Sequence, residues 1–277
     1  MSPMRIISIS QENQFQKVCA YQYFLQRIMK IPGRDSPELR FGVAGHAALE
    51  MLHKAHRSNV MLPIDVLMKT FRREYLPFES TFAEFQARKL LGMYVDKLLP
   101  NIGPSYIEEQ FYLDIAPGVV CTGVIDLYTL DQIIIDFKFR SKVKKEPHSL
   151  QAVCYWLGMS KIQGLAVPRE YWRVTLVKTP DASGQYSIVR ERIEINFDKA
   201  VPWFYDRMRK FAQALDYAHT TGIFHKNPKT RLCHPRWCPY YDNHCDHMDP
   251  LDDLAFNDRM ARFEPYPDVP EEMTKPA

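Results

Sequence analysis

Two aspartates and a lysine interrupt apolar runs in "GVIDLYTLDQIIIDFKF", residues 123–139. Charge inside such runs is costly unless it is paired or bound. Alternate side chains of an extended strand share a face, so Ile134, Asp136 and Lys138 face one way while Ile133, Ile135, Phe137 and Phe139 face the other. Asp126 lies in the preceding run, and a connection of a few residues would pair the two strands and bring Asp126 to Asp136. Crowded carboxylates repel unless a cation lies between them. The chemistry this suits is phosphodiester hydrolysis. Oxygen ligands would hold Mg²⁺ or Mn²⁺, the cation would lower the pKa of a bound water, and the lysine ammonium would orient or stabilise that nucleophile. Taken alone, an Asp-x-Lys strand is more commonly a half-exposed ion pair.

A second group points to a different chemistry. Cys233, Cys238 and Cys245 follow a C-x4-C-x6-C spacing, with Pro239 directly after Cys238. Four thiolates hold a 4Fe-4S cluster, and Cys19 is the candidate for the fourth. Zinc is the alternative, since four-Cys and three-Cys, one-His sites are frequent and His234, His244 and His247 lie close by. Cys121 and Cys154 fall in an expected strand and helix, as buried apolar residues.

These residues need a scaffold. Helical spacing covers residues 14 to about 30, a helix after Pro37 that carries "ELRFGVAGHAALEMLHKAH", and further segments up to Leu99. From residue 105 the pattern becomes an antiparallel meander of three strands. A helix from near Pro147, two strands joined by "PDASG", and a long helix over about 198–220 lead to the cysteines. With 277 residues, 46% hydrophobic and 25% charged, the chain reads as a globular protein able to bury a core. No apolar run is long enough for a membrane span and the opening lacks the apolar stretch of a signal peptide, so the expected location is cytoplasmic, with no membrane partner. Residues 249–277 carry eight acids against three bases, leaving +8 of the formal +3 on the remainder. A body of that sign suits an anionic partner, and "FRSKVKK" adds Arg140, Lys142, Lys144 and Lys145 beside the aspartates as candidate phosphate contacts. The acidic, Pro-rich end reads as a solvating tail.

"GVID" followed by "IIIDFK" resembles the PD-(D/E)XK nuclease signature, with Ile125 where the name-giving proline would stand. The likeness is to the RecB-like branch, whose helical histidine is matched by His46 in "GHAALE" and whose Gln-x-x-x-Tyr is matched by Gln151 and Tyr155 in "QAVCY". The resemblance implies metal ligands His46, Asp126 and Asp136, a lysine, Lys138, that assists the water, and a Gln151/Tyr155 face that contacts substrate or supports the site. Glu108 or Glu109 matches a further family carboxylate. One cysteine before the nuclease core and three after it resemble relatives with an iron-sulfur staple, of the AddB type, the CRISPR-associated spacer-acquisition type and the single-strand exonuclease type. The spacing here is wider than their usual C-x2-C-x5-C.

The fold so implied is α/β, a restriction-endonuclease-like mixed central sheet flanked by helices. It has an N-terminal helical insertion and a C-terminal iron-sulfur lobe. The nuclease domain would be residues 1–248, with a helical part about 14–100, a catalytic sheet and helix about 105–195, and the lobe from Cys19 plus 222–248; residues 249–277 form the tail. The implied activity is metal-dependent exonuclease action on DNA with free ends, single-stranded and 5′ to 3′ by preference. The settings are recombination, repair, phage DNA metabolism or CRISPR spacer acquisition, with partner proteins of those processes. Tyr21, Tyr23 and Trp156 are candidate base-stacking rings. The alternative is a catalytically silent iron-sulfur subunit that binds DNA within a larger complex.

Overall fold

The computed structural model describes residues 4–33, 35–143, 149–162, 164–227, 230, 232–234, 237–241 and 243–245. The chain divides into two compact units, one made of Asp35–Phe111 and Gly123–Ala200, the other of Met1–Arg34, Tyr112–Thr122 and Val201–Ala277. The acidic tail, with Lys144 and Lys145, lies outside the described residues.

The first of these units is a sheet covered by helices. Helix α3 (Pro37–Arg57) starts where Ser36 Oγ accepts the Leu39 N–H and Pro37 fixes the first turn, and it ends in Lys54, His56 and Arg57, which suit its negative end. Two shorter helices precede it in the chain, α1 (Ile9–Glu12) and α2 (Ala20–Tyr23). Helix α4 (Ile64–Tyr75) and helix α5 (Thr81–Lys97, capped by Ser80) follow. Strands β2 (Ser105–Ala116), β3 (Val119–Thr129) and β4 (Ile133–Arg140) form the expected meander, with β3 and β4 antiparallel. Helix α6 (Leu150–Met159) returns the chain so that β5 (Glu170–Val177) lies parallel to β4, and β6 (Ser187–Arg192) pairs antiparallel with β5. The sheet is therefore mixed. Leu127, Ile135, Phe137, Val174 and Leu176 bury one face of it against α3, α4 and α5, through Ala44, Ala48, Leu52, Phe71, Leu90 and Tyr94 among others. The alternation that sends Ile135 and Phe137 into this core leaves Asp136 and Lys138 on the opposite face.

The other unit contains strand β1 (Arg5–Ile7), which pairs parallel with the first residues of β3, Arg5 opposite Val119 and Ile7 opposite Cys121. Three residues are too few to show a period, and the sequence did not announce this strand. The single helix expected over residues 14–30 is broken. After α1 comes a π-helical turn, Asn13–Val18; Cys19 then adopts an extended backbone, and α2 and a second π-helical turn, Phe24–Ile28, complete the segment. The break has a local cause, because Cys19 acts as the N-cap of α2 and its sulfur accepts the Gln22 N–H at 3.5 Å. Phe15, Tyr23, Phe24, Phe211 and Phe224 pack ring against ring in this unit. Helix α7 (Phe197–Thr221) supplies Phe211, as well as Arg207, which pairs with the fully buried Glu12. Among the described residues no helix is long and apolar enough to cross a membrane.

Candidate active site

Extending the β3–β4 register, in which Leu127 faces Ile135, by one step places Asp126 opposite Asp136. Asp126 Oδ2 accepts the backbone N–H of Phe137 at 2.7 Å, so this carboxylate is tied to the neighbouring strand. Its other oxygen lies 3.5 Å from His46 Nδ1. Burial works to lower the His46 pKa, but the hydrogen bond and charge of Asp126 outweigh it and the net shift is upward. Asp136 is 1% exposed, with Oδ1 held 2.7 Å from Lys138 Nζ and Oδ2 buried without a hydrogen-bond partner among the described residues. Burial raises the Asp136 pKa, opposed by Lys138 and then by Arg173.

Close backbone approach brings the helices onto these strands. A Cβ on Gly45, the residue before His46, would fall 2.5 Å from the Phe139 ring, so only glycine lets α3 sit this near to β4. On the other face, a Cβ on Gly158 of α6 would meet Phe111 at 2.2 Å. That contact holds α6 with Tyr155 turned to the aspartates. Gln151 Nε2 donates to Tyr155 Oη at 2.8 Å, and the Tyr155 hydroxyl feels Asp136 and Asp126, with burial the larger cause of its raised pKa. His46, Asp126, Asp136, Lys138 and Tyr155 thus lie in one neighbourhood, with Gln151 bonded to Tyr155.

Sequence reasoning left Glu108 and Glu109 open, and the structure separates them. Glu108 takes a φ of 54°, uncommon for a residue with a side chain. Partial desolvation, then Asp126 and Glu50, push its carboxyl up to about 7, with His46 opposing. Two residues were missed altogether. Arg173 lies directly opposite Asp136 on β5 and is 1% exposed, and Tyr171, two residues before it, is fully buried with its hydroxyl unpartnered among the described residues. A strand reading such as "EYWRVTLV" takes them for ordinary sheet residues; the signal was a charge inside an apolar run, the same one that flagged Asp136.

Among the described residues no three His, Cys, Asp or Glu side chains are close enough together to hold a metal ion. Magnesium needs less, because it is commonly held by one or two carboxylates with waters and substrate phosphates filling the rest. The opposed Asp126 and Asp136, with a buried carboxylate oxygen left unpartnered, fit that requirement.

A family model described as the PD-(D/E)XK nuclease superfamily matches residues 6–245. The chain belongs to that superfamily. Its members generally use Mg²⁺ or Mn²⁺ on nucleic acid, which agrees with the oxygen-ligand pair. The nuclease fold is shared with a crystal structure of a candidate exonuclease from Eubacterium rectale, 11% identical with a TM-score of 0.56, over 83% of this chain and 87% of the other. A solved structure named SSO0001 is 12% identical over 77% of this chain and 78% of the other, with a TM-score of 0.37. No curated protein sequence matches the chain.

The cysteines occupy the other unit. Cys19, Cys233, Cys238 and Cys245 line one pocket together with Tyr21, Gln22, Lys226 and Tyr240. Cys238 accepts from Gln22 Nε2 at 4.0 Å, and burial raises the thiol pKa of both Cys238 and Cys245, with the other cysteines adding to it. Tyr240, 1% exposed, donates to the Ile31 carbonyl at 2.9 Å and fastens the C-terminal segment to the N-terminal one. Cys121 and Cys154 are fully buried, as expected.

Of the candidate stacking rings, Tyr23 is closed off by its neighbours. Tyr23 is 5% exposed and packs edge-on to Phe15, so no base can reach its face. Tyr21 lies under the Lys226 ammonium at 5.2 Å, and Trp156 packs against Phe197 with ring centres 4.7 Å apart. Arg140 ends β4 and Lys142 is exposed just beyond it.

Proposed function

We propose that the chain is a metal-dependent DNA exonuclease that hydrolyses phosphodiester bonds at free ends, preferring single strands and the 5′ to 3′ direction. The observation that carries it is the Asp126, Asp136 and Lys138 constellation, a buried charge group whose members offset one another but leave a carboxylate oxygen free. A divalent cation bound there would neutralise phosphate charge and acidify a water. Asp126 and Asp136 would hold it, with His46 completing the set after a small closure. Lys138, fixed by its contact with Asp136, is placed to orient the attacking water and steady the developing negative charge. Gln151 and Tyr155 would brace the strand beside the site, and Arg140 and Lys142 would meet phosphates beyond it.

Cys19, Cys233, Cys238 and Cys245 are proposed ligands of a 4Fe-4S cluster. Their arrangement around one pocket supports a shared metal group, and four thiolates suit a 4Fe-4S cluster, with zinc the alternative. Such a cluster would be chiefly structural, since bonds formed only in the folded state add to its stability. Unpaired thiols of this kind suit the reducing cytoplasm.

The test is digestion of end-labelled single-stranded DNA by anaerobically purified protein with Mg²⁺ or Mn²⁺, beside Lys138→Ala. The expected result is metal-dependent cleavage that falls on the order of a thousandfold in the variant. Cleavage unchanged in Lys138→Ala would remove the site from these strands, and no cleavage by the wild type would favour a binding role.

A further inference from the structure

Helix α5 buries Ala83, Ala87, Leu90, Leu91 and Tyr94 and turns an unusual stripe outward. Phe82 is 63% exposed and Phe85 is 51% exposed, while the exposed Lys89 follows one turn on with its ammonium 5.6 Å from the centre of the Phe85 ring. These positions, spaced three and four apart, share one helix face. Tyr186, from the start of the β6 hairpin arm, meets the Phe85 ring at 6.3 Å, nearly edge-on. A lone exposed phenylalanine needs no explanation. Two on one face, with a cation over one ring and a tyrosine at its edge, form a built aromatic and cationic surface.

The surface continues towards the catalytic strands. Gln86, next to Phe85, donates to the Lys178 carbonyl at 2.8 Å, and the Lys178 N–H extends the β4–β5 ladder by bonding the Arg140 carbonyl at 2.8 Å. Lys138 pairs with Thr175, so Lys178 lies three residues further on, just past the end of β5, roughly 10 Å at the rise of a strand and turned to the helix-covered face, opposite to that of Lys138. Its half-buried ammonium stands 4.9 Å over the Phe41 ring, with Glu38 as a charged neighbour. The cations Arg140, Lys142, Lys178 and Lys89 therefore run from the carboxyl ends of the parallel pair β4 and β5, where ligands of such sheets commonly bind, to the rings of α5.

We infer that this strip is a track for an unpaired DNA strand, whose bases stack on Phe85 and Phe82 while its phosphates meet Lys178 and Lys89. It rests on the nuclease activity proposed above and assigns the single-strand preference to particular residues. The face of a paired base is covered by its neighbours in the duplex, so exposed rings on a helix stack on bases released from one. Positive side chains interleaved with the rings complement the backbone and leave sequence unread.

The experiment measures anisotropy of a labelled single strand and of the corresponding duplex on Lys138→Ala protein, which spares the probe. Adding Phe85→Ala is expected to weaken single-strand binding about tenfold, the order found for one base-stacking ring, with duplex binding unchanged. Phe85→Trp should restore the affinity and Phe85→Leu should not, since the exposed site needs a ring face rather than an apolar surface. Unchanged single-strand binding in Phe85→Ala would overturn the track and leave the nuclease proposal standing, as would equal losses on both probes. Binding to neither probe before Phe85 is touched would overturn both.

Discussion

In the unit that holds Asp126, Asp136 and Lys138, each functional side chain hangs on a strand or helix fixed by apolar packing, whereas the four cysteines stand on a helix break and on short turns near the C-terminal end. The charges differ in the same sense. Asp136 has a cation at 2.7 Å, while burial pushes the pKa of the Cys238 and Cys245 thiols up. A site whose parts already offset one another can form before its metal arrives. Neutral thiols gathered around a pocket gain their charge, and much of their order, only on binding one.

The largest effect expected from this contrast is on metal removal. For the 4Fe-4S cluster proposed above, stripping iron from anaerobically purified protein, or making Cys238→Ser, should cost several kcal/mol, approaching the order of 10 kcal/mol seen for structural zinc. Hydrogen exchange should then lose protection around residues 19–28 and 237–241, while amides of α3 and β4 keep theirs. Equal loss in both places would break the contrast, and so would none in either.

Acid should sharpen it from the other side. His53 of α3 is 2% exposed, bonded to the Tyr94 hydroxyl at 2.7 Å, and burial lowers its pKa to about 4. The folded value lies below the unfolded one of 6.5, so the fold favours the neutral ring and the unfolded chain takes the proton first. The stabilisation is complete above about pH 6.5, drains as the pH falls towards 4 and is gone below it, at most about 3 kcal/mol. Urea midpoints at pH 7 and pH 4.5 should diverge more for the wild type than for His53→Gln; equal divergence would remove His53 as the cause.

A smaller cost is expected from Gly45→Ala. The new methyl would press on Phe139, which is only partly buried and can yield, so the loss should be about 1 kcal/mol, the low end of overpacking. Cleavage should fall further than stability does, because His46 moves with the helix, and Phe139→Leu should recover part of it. Full activity in Gly45→Ala would show that α3 need not sit so close.

The strand period placed Asp136 with Lys138 and foretold the buried partners Ile135 and Phe137, because alternation follows from the extended backbone alone. That Gln151 and Tyr155 meet was legible for the corresponding reason on a helix, where residues four apart share a face, but their place beside the aspartates came from the family resemblance. Strand β1 was not, and neither was the break at Cys19, which stands where helical spacing runs on without a Gly or Pro to mark a stop. Glu108 could not be told from Glu109 until its backbone turned left-handed. Tyr23 was offered to a base although it belongs to a ring cluster formed with Phe211 and Phe224, distant in the chain.

Side-chain identity and local period fix which groups share a strand or helix face, and so the amino-acid order alone marked Asp126, Asp136 and Lys138 and the cysteine spacing, while the family resemblance marked Gln151 and Tyr155. It took the packed chain to show that Arg173 lies against Asp136, that Gly45 lets His46 approach, that Cys19 meets the pocket of the other three cysteines, and that the exposed rings of α5 are Phe82 and Phe85. Each of these is a pairing between separate elements, set by strand order and by how closely backbones can approach, and no local period in a chain records it.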